Sequence, residues 1–162
     1  MFRKLVISEA LGNKEVPKED CVRILKEQPR GVLAVLGDDE YPYCLPIDYW
    51  YSEEENRIYF HGAKGGHKVD AMRKHDKGCF CVCDEGYREE GDWALNISSV
   101  ISFGRLKELD DYEKGMEVCR QLSYKFTDST EYIESEIAES GPYTMVFYLE
   151  VEHMTGKLVN ES

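Results

Sequence analysis

Residues 41–68 read YPYCLPIDYWYSEEENRIYFHGAKGGHK, and this stretch decides the fold. Tyr41 to Tyr51 and Arg57 to His61 have strand composition, and Ser52-Glu53-Glu54-Glu55-Asn56 between them is a polar turn. Pro42 and Pro46 cannot donate to a ladder. The first strand therefore runs along a sheet edge or carries an interruption, which leaves backbone groups free for a planar ligand. The second strand runs into Gly62-Ala63-Lys64-Gly65-Gly66-His67-Lys68, a glycine corner that opens a helix. Backbone N–H groups at such a corner suit a phosphate, and Lys64 and Lys68 add compensating charge.

Upstream, Pro17 opens a helix that ends before Pro29, with Cys21, Ile24 and Leu25 as its buried stripe. Gly31 to Leu36 is a short apolar strand, returned by the polar turn 37–40. Residues 1–15 form an N-terminal arm whose one apolar patch is Leu5, Val6 and Ile7. Downstream, Val69, Met72 and Arg73 continue the corner helix to about His75, and Lys77 to Cys83 is a strand. Residues 84–96 are polar and irregular, with two aromatics of buried type, Tyr87 and Trp93. Ile97 to Leu109 is a long strand with a bulge or close approach at Gly104.

Asp110 then caps a helix with the stripe Tyr112, Met116, Cys119, Leu122 and Phe126. Asp128 and Glu131 form a capping box for a shorter helix through Ile133 and Ile137. Tyr143 to Glu152 closes the fold, with Met145, Phe147, Leu149 and Val151 on one face. Six or so strands joined mostly by short turns, with peripheral helices, predict a mainly β, mostly antiparallel barrel forming a single domain over 1–162.

The chain has 162 residues and a net charge of −12. Such acidity repels a phosphate backbone and argues against nucleic acid, while making the basic corner the wrong sign for the whole. No apolar run reaches membrane length and the N-terminus has no long apolar leader, so a soluble cytoplasmic protein without a membrane partner is expected. Six cysteines fit free thiols. Cys79, Cys81 and Cys83 fall on one face of their strand, where packing of small buried residues is the expectation and no metal site is predicted.

The pieces ILKEQPRGVLAVL, PYCLPIDYWY, RIYFHGAKGGHK, SSVISFGRLKEL and EVEHMTGK occur in an order that resembles the FMN-binding split β-barrel proteins related to pyridoxamine 5′-phosphate oxidase, in the branch of nitroimidazole-resistance proteins. They span most of residues 20–157. The resemblance implies a homodimer with two flavin sites between subunits, FMN as cofactor with FAD as the other candidate, and a flavin-dependent oxidoreductase. Its electrons would come from NADH or NADPH and go to a small acceptor, such as a nitroimidazole-type molecule. By position, Pro46, Ile47, Asp48 and Tyr49 would line the isoalloxazine ring. His61, Lys64, His67 and Lys68 would approach the ribityl chain and phosphate, and Ser98 and Ser99 would add a second polar contact. The tail LVNES lacks the basic residues of true pyridoxamine-phosphate oxidases, which speaks against that activity.

His61 is the candidate catalytic residue, placing substrate or donating a proton, since a histidine titrates near ~6.5. The blander reading is a hydrogen-bonded structural histidine. Tyr41, Tyr43, Tyr49, Trp50 and Tyr51 read as packing, with Tyr49 or Trp50 as the sharper guess for a ring neighbour. The acidic runs 53–55 and 131–139 read as solvated faces. The alternative function is a carrier or sensor that holds flavin or haem without turnover.

Overall fold

The structure, a computed structural model, describes residues 1–4 and 13–161; the Leu5-Val6-Ile7 patch lies outside them. In chain order the elements are β1 Lys14–Glu15, α1 Lys18–Glu27, β2 Arg30–Leu36, β3 Pro42–Asp48, β4 Trp50–Ser52, β5 Arg57–Ala63, α2 His67–Lys74, β6 Lys77–Cys83, β7 Asn96–Glu108, α3 Tyr112–Ser123, α4 Thr130–Ser140 and β8 Thr144–Asn160. Their ladders are antiparallel and form one sheet in the order β3-β2-β6-β7-β8-β5-β4, with β1 added to the far end of β8.

The two edges of that order are consecutive in the chain. Only Tyr49 separates Asp48 at the end of β3 from Trp50 at the start of β4. A sheet whose edges are joined by one residue has to curl until they meet, and the right-handed twist of its strands carries it round. Among the described residues no ladder joins β3 to β4, so the barrel closes through the chain itself and stays split along that seam.

Aromatic packing fills the inside of the curl. Tyr49 is fully buried at the seam and meets the edge of Phe80 with centroids 4.7 Å apart. Phe80 meets Phe60 at 5.3 Å, and Phe60 stacks on Phe147 at 5.1 Å, which joins β6, β5 and β8. Edge-to-face pairs of this kind add to the apolar area they bury. α1 lays Cys21, Ile24 and Leu25 on this core. A second cluster lies outside the barrel, where α3 places Met116, Val118 and Cys119 against Tyr59, Val146 and Tyr148.

The sequence reading needs several corrections. The strand expected over Tyr41 to Tyr51 breaks at Tyr49, because the chain crosses there from one sheet edge to the other. α3 is capped by Asp111, whose side chain accepts from the Lys114 N–H at 3.1 Å, and not by Asp110. Its first and last stripe residues, Tyr112 and Phe126, are exposed. α4 is capped by Ser129, which accepts from the Tyr132 N–H, in place of the Asp128 box. Tyr87 and Trp93 are exposed, since the 84–96 segment lies on the surface held by hydrogen bonds of Asp84 and Asn96. The tail continues β8 to Asn160: in HMTGKLVN the residues His153, Thr155 and Lys157 fall at every second position, which is itself the strand period.

The cysteine triplet does alternate with Phe80 and Val82, but Phe80 and Val82 take the core. Cys79 and Cys81 are half-buried on the outer face and Cys83 is exposed. The run 53–55 is not wholly solvated: Glu55 accepts from the Tyr59 hydroxyl at 2.7 Å and pairs with Lys114, tying α3 to the barrel.

Phe80 links the seam to the far wall, so Phe80→Ala should cost about 3–5 kcal/mol, the range for emptying a buried aromatic site. Urea unfolding measures it, and a loss below about 1 kcal/mol would contradict this packing.

Candidate functional site

The seam opens outward as a cleft of about 380 Å³ lined by Arg30, Pro46, Ile47, Asp48 and His61. Each wall follows from the ladder. β3 is an edge strand, so its outward backbone groups have no sheet partner. Pro46, which has no N–H, sits opposite Val32 on β2. Arg30 pairs across the ladder with Asp48, and its guanidinium holds that carboxylate at 2.6 Å. His61 comes from β5, two residues before the strand ends, and keeps a solvent-exposed edge.

His61 is set by its surroundings. The protein packed around the imidazole pushes its pKa below the ordinary histidine value. Asp48 opposes that shift and Lys68 adds to it. The ring is therefore largely neutral near pH 7, with one nitrogen able to donate and the other to accept.

The glycine corner adjoins this cleft. Gly66 precedes α2 with φ at +103°, a conformation that side chains rarely adopt, and supplies no side-chain cap to the first N–H groups of the helix. A Cβ built on Gly62 would lie 3.1 Å from the Lys68 Nζ, so the glycine leaves room for that amine to lie along β5. Among the described residues Lys68 makes no ion pair, while its helix neighbours are committed: Lys74 to Asp38 at 3.0 Å and Arg73 to Glu108 at 2.5 Å. An uncapped helix start beside an unpaired ammonium fits a phosphate group.

The structure divides the predicted residues into four groups. Pro46, Ile47, Asp48, His61 and Lys68 come together. Tyr49 belongs to the seam but turns its ring into the core, so it offers the cleft no side chain. Two corner residues are occupied elsewhere. His67 stacks on Tyr43 with centroids 4.1 Å apart and accepts from the Asp38 N–H at 3.4 Å; Lys64 donates to the Pro142 carbonyl at 2.6 Å. Ser98 and Ser99 do not line the cleft: Ser99 pairs with Cys83 on β6, which the β2–β6 register sets beside Arg30, two strands away at about 5 Å per strand.

Arg30 is the cleft residue that the sequence did not reveal. Only the β2–β3 register places it over Asp48. Lys125, outside the cleft lining, was equally hidden: it follows α3, donates to the Gln28 carbonyl at 2.8 Å, and stands 3.9 Å from the centre of the Tyr49 ring. Nothing in its local sequence signals either contact. Among the described residues no cluster of histidine, cysteine or acidic groups is placed to hold a metal ion.

A family profile described as pyridoxamine 5′-phosphate oxidase matches residues 17–158. No curated protein matches the chain in sequence. Solved structures share the fold. One, provisionally assigned as a 5-nitroimidazole antibiotic resistance protein from Bacteroides thetaiotaomicron, has a TM-score of 0.77 at 16% identity, covering 99% of this chain and 95% of its own. A FAD-binding protein from Mesorhizobium loti has a TM-score of 0.67 at 19% identity, covering 91% and 98%. A FAD- and haem-binding protein from Mycobacterium smegmatis has a TM-score of 0.65 at 16% identity, covering 91% and 73%.

The charges around His61 predict how it titrates. By NMR its midpoint should lie below the model-peptide value of about 6.5. Lys68→Met should raise it and Asp48→Asn should lower it. Because folded His61 binds protons less readily than the unfolded chain, its contribution to stability should fall as pH drops from about 6.5 towards the folded midpoint. A wild-type midpoint above the peptide value would refute the assigned surroundings.

Proposed function

The chain belongs to the pyridoxamine 5′-phosphate oxidase family, and from that premise we propose that it binds FMN at the barrel seam and works as a flavin-dependent oxidoreductase on a small molecule. The observation that carries the reading is the unpaired Lys68 amine beside an uncapped helix start, next to a cleft edged by free β3 backbone. The phosphate would rest on Lys68 and the first N–H groups of α2. The planar ring would lie against Pro46, Ile47 and Asp48, with His61 at its side.

The flavin, when bound, supplies the electron transfer, taking electrons from a nicotinamide donor and passing them to an acceptor such as a nitroaromatic. The chain supplies position and protons. Arg30 fixes the Asp48 carboxylate, so that wall of the cleft keeps one shape. His61, held neutral near pH 7, can hand a proton to an acceptor at its exposed edge or take one back. The FAD-binding of the Mesorhizobium loti and Mycobacterium smegmatis proteins supports a flavin on this fold, with FAD as the other form.

Homodimerisation belongs to the same proposal. Ser98 and Ser99 do not line the cleft of their own chain, and a second copy is a route by which they would contribute to a flavin site. The outer face of β2, β6 and β7 supports it, since Val32, Ala34, Cys79, Cys81, Ile101 and Phe103 form an uncharged middle between Arg30 at one end and Lys77 and Arg105 at the other.

A second reading is a carrier that holds flavin without turnover. It is favoured by the scarcity of proton-transfer groups: with Asp48 tied to Arg30, His61 is the one side chain of the cleft left for that task.

Lys68→Ala should weaken FMN binding by about 10- to 100-fold, the worth of one charge-assisted hydrogen bond, and leave riboflavin, which has no phosphate, unchanged. Fluorescence titration of both flavins separates the outcomes, and equal losses for the two would remove the phosphate assignment. Stopped-flow reduction by NADH and NADPH, followed by mixing with nitroaromatic acceptors, tests turnover. A flavin that stays oxidised, or that no acceptor reoxidises, leaves the carrier.

A further inference from the structure

On the other side of Tyr49 from the flavin cleft lies a second cavity, of about 480 Å³, between the end of α1, β4 and the end of α3. Its walls are Trp50, Tyr51, Gln121, Tyr124 and Lys125, with Lys26 and Glu53 at the rim. Trp50 is held in place by stacking on Tyr59 at 5.6 Å, and Tyr51 by its hydroxyl, which donates to Asn56 at 3.1 Å. The volume and the aromatic lining suit a small ring system.

One cation in this cavity lacks a counter-charge. Lys125 is half-buried, and among the described residues no carboxylate lies within ion-pair distance of it. Every charged or titratable group packed near it is accounted for. Asp48 on β3 is bound by Arg30, Lys26 on α1 is paired with Glu53, and Glu54 is exposed at the rim. Burial raises the pKa of the Tyr49 and Tyr51 phenols, so neither supplies a negative charge. The ammonium therefore rests on one carbonyl and one ring face, Gln28 O at 2.8 Å and Tyr49 at 3.9 Å. One of its three N–H donors is used by that carbonyl, and among the described residues the others have no protein acceptor. Capping the end of α1 accounts for the first.

We propose that this cavity is a binding site, separate from the flavin cleft, for a small planar aromatic carboxylate, whose ring lies between Trp50 and Tyr124 and whose carboxylate is taken by Lys125. An anion of that shape supplies what the site lacks: a partner for a half-desolvated ammonium and apolar area for the aromatic walls. Burial lowers the pKa of the free amine to about 8, with Asp48 opposing the shift, and a bound carboxylate would raise it again. Binding should then be independent of pH below about 8 and weaken above it.

The probe is 2-naphthoate, compared with the neutral 2-naphthylmethanol, using isothermal titration and energy transfer from Trp50. The protein is the full chain carrying Trp93→Phe, titrated with and without FMN, because the exposed Trp93 would otherwise contribute signal. The acid should bind at least about tenfold more tightly than the alcohol, as expected for one charge-assisted contact. Lys125→Met should abolish that difference while alcohol binding persists, which also shows that the variant is folded. Lys125→Arg should keep part of it. Saturating FMN should not displace the acid. Equal affinity for acid and alcohol, an unchanged preference in Lys125→Met, or competition with FMN would overturn the proposal. Failure of the flavin reading would not, since a chain that binds no flavin still presents Trp50, Tyr124 and Lys125.

Discussion

The constraint on which the structure depends is covalent: the two edges of one long antiparallel sheet are joined by a single residue. Asp48 ends β3 and Trp50 begins β4, and the ladder order puts those strands at opposite ends of the sheet. Hydrogen bonding alone would permit an open, twisted sheet. The one-residue link permits only a curled one, and its residue, Tyr49, then has to lie where the two edges meet. Its ring fills the top of the core against Phe80, while the two strands diverge on either side. Edge strands usually expose unpaired backbone to aggregation. Here the edge faces a cleft narrow enough to be filled by a ligand, which is a more useful end for the same free groups.

Electrostatics then separates a binding position from its neighbours. The corner and its helix carry Lys64, His67, Lys68, Arg73 and Lys74 in an acidic chain, and most of them are neutralised locally. Arg73 and Lys74 have carboxylate partners, Lys64 has a carbonyl, and His67 is wedged between Tyr43 and Asp38. Exposed pairs of this kind contribute little stability. Their effect is to leave Lys68 as the charge of the corner not already answered, at the place where Gly62 makes room for it.

Much of the fold was legible because it rests on local rules. The α1 stripe, the glycine corner and the bulge at Gly104 followed from period and turn chemistry, and the ladder does shift register between Phe103 and Gly104. What was not legible depends on partners distant in sequence. Asp110 and Asp111 are equivalent as capping residues, and only the approach of the chain selects Asp111. Tyr87 and Trp93 have core composition, yet the ladder leaves them no interior to occupy. At the site, the strand and corner residues could be named, whereas Arg30 and Lys125 could not, since register and the return of α3 bring them there. Ser98 and Ser99 show the reverse difficulty: the motif named them, yet the cleft lining of this chain does not include them.

The seam also explains how one short run can serve two cavities. Along an extended chain successive side chains point to opposite sides, so Asp48, Tyr49 and Trp50 are directed alternately. Asp48 turns to the flavin cleft, Tyr49 to the core, and Trp50, after the crossing to β4, to the cavity beside α3. The two openings thus both lie beside one buried ring. Lys125 stands 3.9 Å from the centre of that ring, and its amine feels the charge of Asp48. A charge arriving in either opening alters the field in the other across a low-dielectric aromatic wall, where water screens it weakly. Coupling between the cavities therefore requires no moving part: it follows from placing a carboxylate and an ammonium within Coulombic reach of each other where the sheet closes.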